Sequence, residues 1–127
     1  MDSPALVSID IQRGAEMLDA LDRAGFRVKV ALFAALSEYE DWRLILASSR
    51  FNNLRTTDAY GLLNETLDSV GFDSATKITT LILPMNDPFV KQLRRVFGKT
   101  KSVEGMRLGG QLFGDRFIRD AYVYRIS

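Results

Sequence analysis

Residues 27–36 read RVKVALFAAL, and this stretch decides which fold the rest of the chain can build. The alternation of Val28 and Val30 with Lys29 predicts a β-strand that starts with one solvated face. From Val30 to Leu36 the residues are apolar at every position, so both faces of the strand need cover. We therefore expect a central strand of a sheet, with helices packed against it.

A second apolar stretch, WRLILAS at residues 42–48, follows a short break at residues 37–41. Two strands joined by about five residues are typical of an antiparallel hairpin. Residues 78–83, ITTLIL, are rich in β-branched side chains and predict a third strand. A helical segment separates the second strand from the third, which favours a right-handed parallel crossover.

The C-terminal part predicts the remaining strands. Residues 104–108 form a fourth strand in this interpretation, and residues 117–126 form a long fifth strand. Gly109 and Gly110 indicate a turn or a bulge between them. Residues 112–115 fit neither strand nor turn clearly.

Three segments have apolar residues at the three- and four-residue spacing of an amphipathic helix. The first runs from about residue 8 or 10 to residue 24 and closes at Gly25, with its apolar stripe at Ile11, Ala15, Leu18, Leu21 and Ala24. The second runs from about Thr57, taken as its N-cap, to Val70, and Gly71 closes it.

The third helix has the clearest local signal in the chain. Asp87 is placed to cap its N-terminus, Pro88 fits the first helical position, and Gly98 follows the last residue, Phe97. The element order is therefore α-β-β-α-β-α-β-β. It predicts a single α+β domain over residues 1–127, with a mixed sheet of about five strands and three helices on one or both faces.

The composition removes many kinds of chemistry. The chain has 127 residues and contains neither cysteine nor histidine. Disulfides, thiolate zinc sites, cysteine nucleophiles and histidine bases are therefore excluded, and we expect no metal and no cofactor. Met1 is followed by neither a basic segment nor a long apolar one, so we expect a cytoplasmic protein without a membrane anchor.

Charge is distributed unevenly along the chain. Residues 1–90 carry 8 Lys/Arg and 13 Asp/Glu, whereas residues 91–127 carry 9 Lys/Arg and 3 Asp/Glu. The first part therefore has a net charge of −5, and the second part has a net charge of +6. This asymmetry suggests a basic patch for an anionic partner, or self-association between the basic end of one copy and the acidic end of another.

The candidate anion-binding residues lie on and after the third helix. They are Lys91, Arg94, Arg95, Lys99 and Lys101, with Arg107 nearby if the next strand folds back. Such a patch can contact phosphates with salt-sensitive affinity. Cations near a helix C-terminus also stabilise the helix dipole, so a purely structural role stays open.

The last strand supplies candidate interface residues. Its alternation places Tyr122, Tyr124 and Ile126 on one face, opposite Ala121, Val123 and Arg125. Because both faces are mostly apolar, either the strand is central or the tyrosine face meets a partner. We expect that such a face, or an edge of the sheet, could join two copies into a homodimer.

Three function classes remain. The first is a small binding or accessory domain that acts through protein–protein contacts and self-associates. The second is an anion- or nucleic-acid-binding domain that uses residues 91–101. The third is a small enzyme based on carboxylates, or on a pair of Ser48 or Ser49 with Lys29 or Lys77. The densest carboxylate cluster, Glu38, Glu40 and Asp41 at the tip of the predicted hairpin, could offer oxygens to a hard cation, but it is more typical of a solvated, charged hairpin tip. The sequence favours the first class and disfavours the third.

Overall fold

The fold is described by a computed structural model, which covers residues 8–72 and 78–127. The helices in this part of the chain are α1 (Ser8–Arg23), α2 (Thr56–Ser69) and α3 (Pro88–Phe97), with a short 3-10 turn at Ser49–Phe51. The strands are β1 (Val30–Leu36), β2 (Arg43–Ala47), β3 (Thr80–Leu83), β4 (Arg107–Leu108), β5 (Gln111–Phe113) and β6 (Arg116–Ile126). Among these residues no helix combines the length and the apolar character needed to cross a membrane.

The predicted α+β fold is confirmed, with one strand more than expected. The sheet has the order β3-β2-β1-β6-β4, and β5 also pairs with β6. The additional strand, β5, arises within the region that the sequence pattern left unassigned. It has only three residues, so it is too short to display an alternating pattern.

The centre of the sheet is β1, as its sequence predicts. All seven of its residues are buried, and it pairs antiparallel with β2 on one side and with β6 on the other. The strand begins at Val30 instead of Arg27, and Arg27 itself adopts a left-handed backbone conformation with φ 63°, which an extended strand does not contain. The predicted hairpin of β1 and β2 is therefore confirmed, with a later start.

The crossover through α2 is parallel, as expected. Leu44 to Ala47 of β2 pair in parallel register with Thr80 to Leu83 of β3. At the opposite side of the sheet, β4 and β5 both pair antiparallel with β6, and the glycine pair between them interrupts the edge. The sheet is therefore mixed.

Helices cover both faces of the sheet. One core lies beneath α1 and α2 and includes Leu21, Phe33 and Leu63. The other lies beneath α3 and includes Leu32, Phe89 and Leu93. The sheet thus separates α1 and α2 from α3, and this three-layer arrangement fixes which charged surfaces can lie together.

The ends of the helices follow the predicted local signals, with one exception at the start of α2. Gly25 adopts φ 73° after α1, and the Asp87 carboxylate accepts a hydrogen bond of 2.9 Å from the Phe89 amide at the start of α3. The prediction that Thr57 caps α2 is wrong. The cap is Arg55, which makes no side-chain capping bond, and its guanidinium pairs with Asp58 at 3.2 Å instead.

The apolar stripe of α1 is partly different from the predicted one. Leu18 and Leu21 are buried as expected, and Met17 joins them, whereas Ala15 is exposed. The helix is rotated so that Gly14 faces the sheet, where it lies against the Tyr124 side chain. The spacing of large residues alone could not reveal this, because the contact depends on the lack of a side chain at Gly14.

The predicted face shared by Tyr122, Tyr124 and Ile126 requires correction. The pairing of β6 with β1 shifts register between Ala31 and Leu32, which interrupts the strict alternation of side chains. Tyr124 consequently packs in the core under α1, while Ile126 is buried in the core under α3. Ile126 therefore lies on the face opposite Tyr124.

Candidate functional site

The outer side of α3 carries the densest charged surface that the sequence predicts. Five cations of residues 88–101 are exposed, and the same stretch contains no acidic residue: Lys91, Arg94, Arg95, Lys99 and Lys101. We call these five residues the basic face. Lys91, Arg94 and Arg95 point outward because Phe89, Val90 and Leu93 of the same helix are buried against the sheet. Lys99 and Lys101 are exposed in the segment that follows α3.

A shallow groove lies on the basic face. It has a volume of about 260 Å³ and is lined by Asn86, Pro88, Lys91, Gln92, Arg95 and Gly114. Lys91 and Arg95 are one helical turn apart, so their charged ends reach the same side of α3. Together with the amides of Asn86 and Gln92 they can present several hydrogen-bond donors to one anionic group.

One residue that lines the groove, Gly114, comes from the turn between β5 and β6. Gly114 has φ 59°, and a Cβ atom there would lie 2.6 Å from the Pro88 carbonyl carbon. Only glycine permits both this backbone conformation and this close approach. The turn is therefore held directly against the first turn of α3, which positions Asn86 and Lys91 beside it.

Most cations of the basic face are available for a partner. Within the described parts of the chain, no ion pair involves Lys91, Arg95, Lys99 or Lys101. Arg94 is the member with an internal contact, because its Nε donates a 2.8 Å hydrogen bond to the Ser127 carbonyl. That bond orients Arg94 and leaves its side chain exposed at the margin of the face.

Arg107 does not join the basic face, contrary to the sequence prediction. Its neighbour Leu108 is buried in the core under α3, so Arg107 lies on the other face of the sheet. There its guanidinium makes two bonds to the Asp120 carboxylate, of 2.7 and 2.8 Å, and another of 3.2 Å to the Ala121 carbonyl. Arg107 therefore links β4 to β6 through these hydrogen bonds.

The two predicted interface tyrosines lie together, but one of them is occupied within the molecule. The rings of Tyr122 and Tyr124 are 5.1 Å apart, and the Tyr124 hydroxyl donates a 2.7 Å hydrogen bond to the Ile11 carbonyl of α1. Burial, followed by the proximity of Tyr122 and Asp10, raises the pKa of the Tyr124 phenol above its usual value. Tyr124 therefore joins α1 to the sheet, and Tyr122 keeps a partly exposed ring.

The acidic hairpin tip is involved in structural contacts. Glu38 forms an ion pair of 2.9 Å with Arg116, and Arg43 lies 3.8 Å above the Tyr39 ring. Glu40 and Asp41 are exposed, and the described residues contain no group of three or more potential ligands that could hold a metal ion. The carboxylates of the tip therefore do not form such a group in this part of the chain.

The predicted serine–lysine pair has a poor nucleophile in Ser48. Its side chain is fully buried, and its hydroxyl donates to the Arg27 carbonyl while accepting from the Arg50 amide, both at 3.1 Å. These bonds support the start of the 3-10 turn. Of the two proposed bases, Lys77 lies outside the described residues and Lys29 is exposed.

The sequence pattern did not identify the uncharged residues that line the groove. Gln92 lies three residues before Arg95 on α3, so helical periodicity could have included it. Asn86 lies before the helix, and Gly114 comes from a distant turn. No local pattern joins them to α3, because their proximity depends on the packing of the β5–β6 turn.

Comparisons with known proteins do not extend this description. Searches against protein-family models, curated protein sequences and solved structures gave no match to this chain.

Proposed function

We propose that this chain is a cytoplasmic binding domain that docks through the basic face of α3 onto an acidic surface of a protein partner. The observation that carries the proposal is the exposure of five cations within residues 88–101, without an acidic residue among them. Like charges on one helix repel one another, so an anionic partner would relieve this repulsion.

The groove suggests how a partner is held. A carboxylate placed between Lys91 and Arg95 can accept charge-assisted hydrogen bonds, which are shorter and stronger than bonds between neutral groups. The amides of Asn86 and Gln92 lie in the same groove and add neutral donors. A shallow site of this size suits an aspartate or glutamate side chain on a protein surface.

An apolar residue at the margin of the face favours a protein over a nucleic acid. Val96 is 49% exposed, and Phe97 beside it is only partly buried. Protein interfaces combine apolar contacts with a polar rim, whereas contacts with a phosphate backbone rest mainly on charge. Binding to nucleic acid through the same cations is the competing possibility.

Fluorescence anisotropy tests the proposal with two labelled probes, a peptide of about ten glutamates and a short DNA duplex. We expect saturable binding of the peptide that weakens between about 50 and 200 mM salt. The double variant Lys91→Gln/Arg95→Gln should weaken binding about tenfold, or about 1.4 kcal/mol, because two groove cations are lost.

The matched control is Arg13→Gln/Arg55→Gln. It removes the same number of positive charges from exposed positions on α1 and at the start of α2, across the sheet from α3. This control should bind the peptide almost like the unaltered chain. Equal weakening in both double variants, or binding of the duplex without binding of the peptide, would refute the proposal.

A further inference from the structure

The three layers of the molecule separate charge by sign. The helices α1 and α2 contain seven acidic and two basic residues, whereas residues 88–101 contain five basic and no acidic residues. Because the sheet lies between these layers, the acidic helices and the basic face are turned away from each other. The basic face therefore cannot be neutralised by the acidic layer of its own chain.

The layer formed by α1 and α2 also contains a groove. It has a volume of about 480 Å³ along the outer side of α1 and is lined by Gln12, Ala15, Glu16, Asp19, Arg23 and Phe72. We call it the α1 groove. Glu16 is exposed and forms no ion pair with any residue that the structure describes, while Asp19 pairs with Arg23 at 3.2 Å.

We propose that the acidic partner is a second copy of this chain, whose α1 groove receives the basic face of the first. This inference rests on the proposed function, because it names the partner of the same face. Lys91 and Arg95 on one copy would meet Glu16 and Asp19 on the other. The exposed Val96 would lie against the apolar lining of the groove, Ala15 and Phe72.

Complementarity in both charge and polarity supports this pairing. Each surface follows one helix, with charged groups at three- and four-residue spacing and an apolar side chain beside them, Val96 on the basic face and Phe72 in the α1 groove. Opposite charges on the two surfaces accelerate encounter and reject the like-charged pairings of α3 with α3 or of α1 with α1. A symmetric dimer through either surface alone is therefore disfavoured.

The arrangement determines the kind of assembly. Because each copy uses two different surfaces on opposite sides, a pair of copies retains one free basic face and one free α1 groove. Contacts of this type are heterologous and continue head to tail, either closing into a ring or extending into an open chain. The assembly should grow with protein concentration and shrink with salt.

Sedimentation velocity tests this with two double variants, each of which removes two charges from one surface. Lys91→Gln/Arg95→Gln removes charge from the basic face, and Glu16→Gln/Asp19→Asn removes charge from the α1 groove. At low salt the unaltered chain should form a concentration-dependent series of oligomers. Each variant alone should be monomeric, and an equimolar mixture of the two should form a one-to-one dimer and nothing larger.

The mixture is decisive because each variant keeps the surface that the other lacks. Neutral replacements are used since reversed charges would create a new complementary pair. Circular dichroism of both variants establishes that they fold. Assembly of either variant alone to the level of the unaltered chain, or a mixture that stays monomeric, would overturn the inference.

Failure of this inference can be distinguished from failure of the proposed function. If the unaltered chain is monomeric but still binds the glutamate peptide through Lys91 and Arg95, self-association is wrong and the binding face stands. If the peptide does not bind either, both fail. The variant Glu16→Gln/Asp19→Asn should bind the peptide like the unaltered chain, because its basic face is intact.

Discussion

At the scale of single residues, the contact between Gly14 and Tyr124 sets how closely α1 approaches the sheet. A Cβ atom at residue 14 would overlap the Tyr124 hydroxyl, which bonds to the Ile11 carbonyl at 2.7 Å. Glycine in a helix interior normally costs about 0.5–1 kcal/mol relative to alanine. Here that cost is offset by a close approach that no larger residue permits.

The substitution Gly14→Ala should therefore destabilise the protein in spite of its better helix propensity. We expect the free energy of unfolding in urea to fall by about 1–3 kcal/mol, the range typical of overpacking. The matched control is Gly61→Ala in α2, which has open space around it and is exposed. That change should stabilise by about 0.5–1 kcal/mol. A stabilised Gly14→Ala protein would contradict the account of this contact.

A contact of this kind could not be predicted from the sequence. Gly14 lies within the first predicted helix but outside its apolar stripe, and Tyr124 was predicted as a candidate partner contact. Neither interpretation includes the other residue, since more than a hundred residues separate them. By contrast, Asp87 and Pro88 were predictable because helix capping is decided within a few neighbouring residues.

At the scale of elements, a side chain from α2 covers the unpaired edge of strand β3. The Tyr60 hydroxyl donates to the Thr80 carbonyl at 3.1 Å and accepts from the Ile82 amide at 3.4 Å. These two backbone groups point away from β2, so they would otherwise be open to pairing with another strand. The hydroxyl thus occupies a position that a further strand could use.

Replacing Tyr60 with phenylalanine should expose this edge. We expect Tyr60→Phe to lower the free energy of unfolding by about 1–2 kcal/mol, because two backbone groups lose their partner. Light scattering on mild heating should also show earlier aggregation. The control Tyr122→Phe removes a hydroxyl that makes no hydrogen bond with the described residues, and it should change neither quantity. Identical behaviour of the two variants would refute the role given to Tyr60.

Element order was largely predictable, whereas side-chain faces at the end of β6 were not. The apolar run of β1 predicted a strand covered on both sides, and the helix between β2 and β3 predicted their parallel pairing. The faces of Tyr124 and Ile126 were assigned by strict alternation, which a register shift interrupts. Such irregularities depend on the partner strand and leave no mark in the local pattern.

At the scale of the whole molecule, the fold converts a linear charge asymmetry into two opposed surfaces. The sequence revealed an acidic first part and a basic last part, and it identified the five cations of the basic face. It could not tell that α1 and α2 would share one side of the sheet while α3 takes the other. That depends on the strand order β3-β2-β1-β6-β4, which places β6 beside β1.

The central claim is that partners dock on the basic face of α3. It is tested most directly by mapping amide chemical-shift changes in ¹⁵N-labelled protein while the glutamate peptide is added at low salt. We predict that the largest changes fall within residues 86–101 and at Gly114, and that about tenfold more peptide is needed to produce them in Lys91→Gln/Arg95→Gln. Changes centred on α1 and α2 or around Tyr122, or changes that need no more peptide in this double variant than in the unaltered chain, would contradict it.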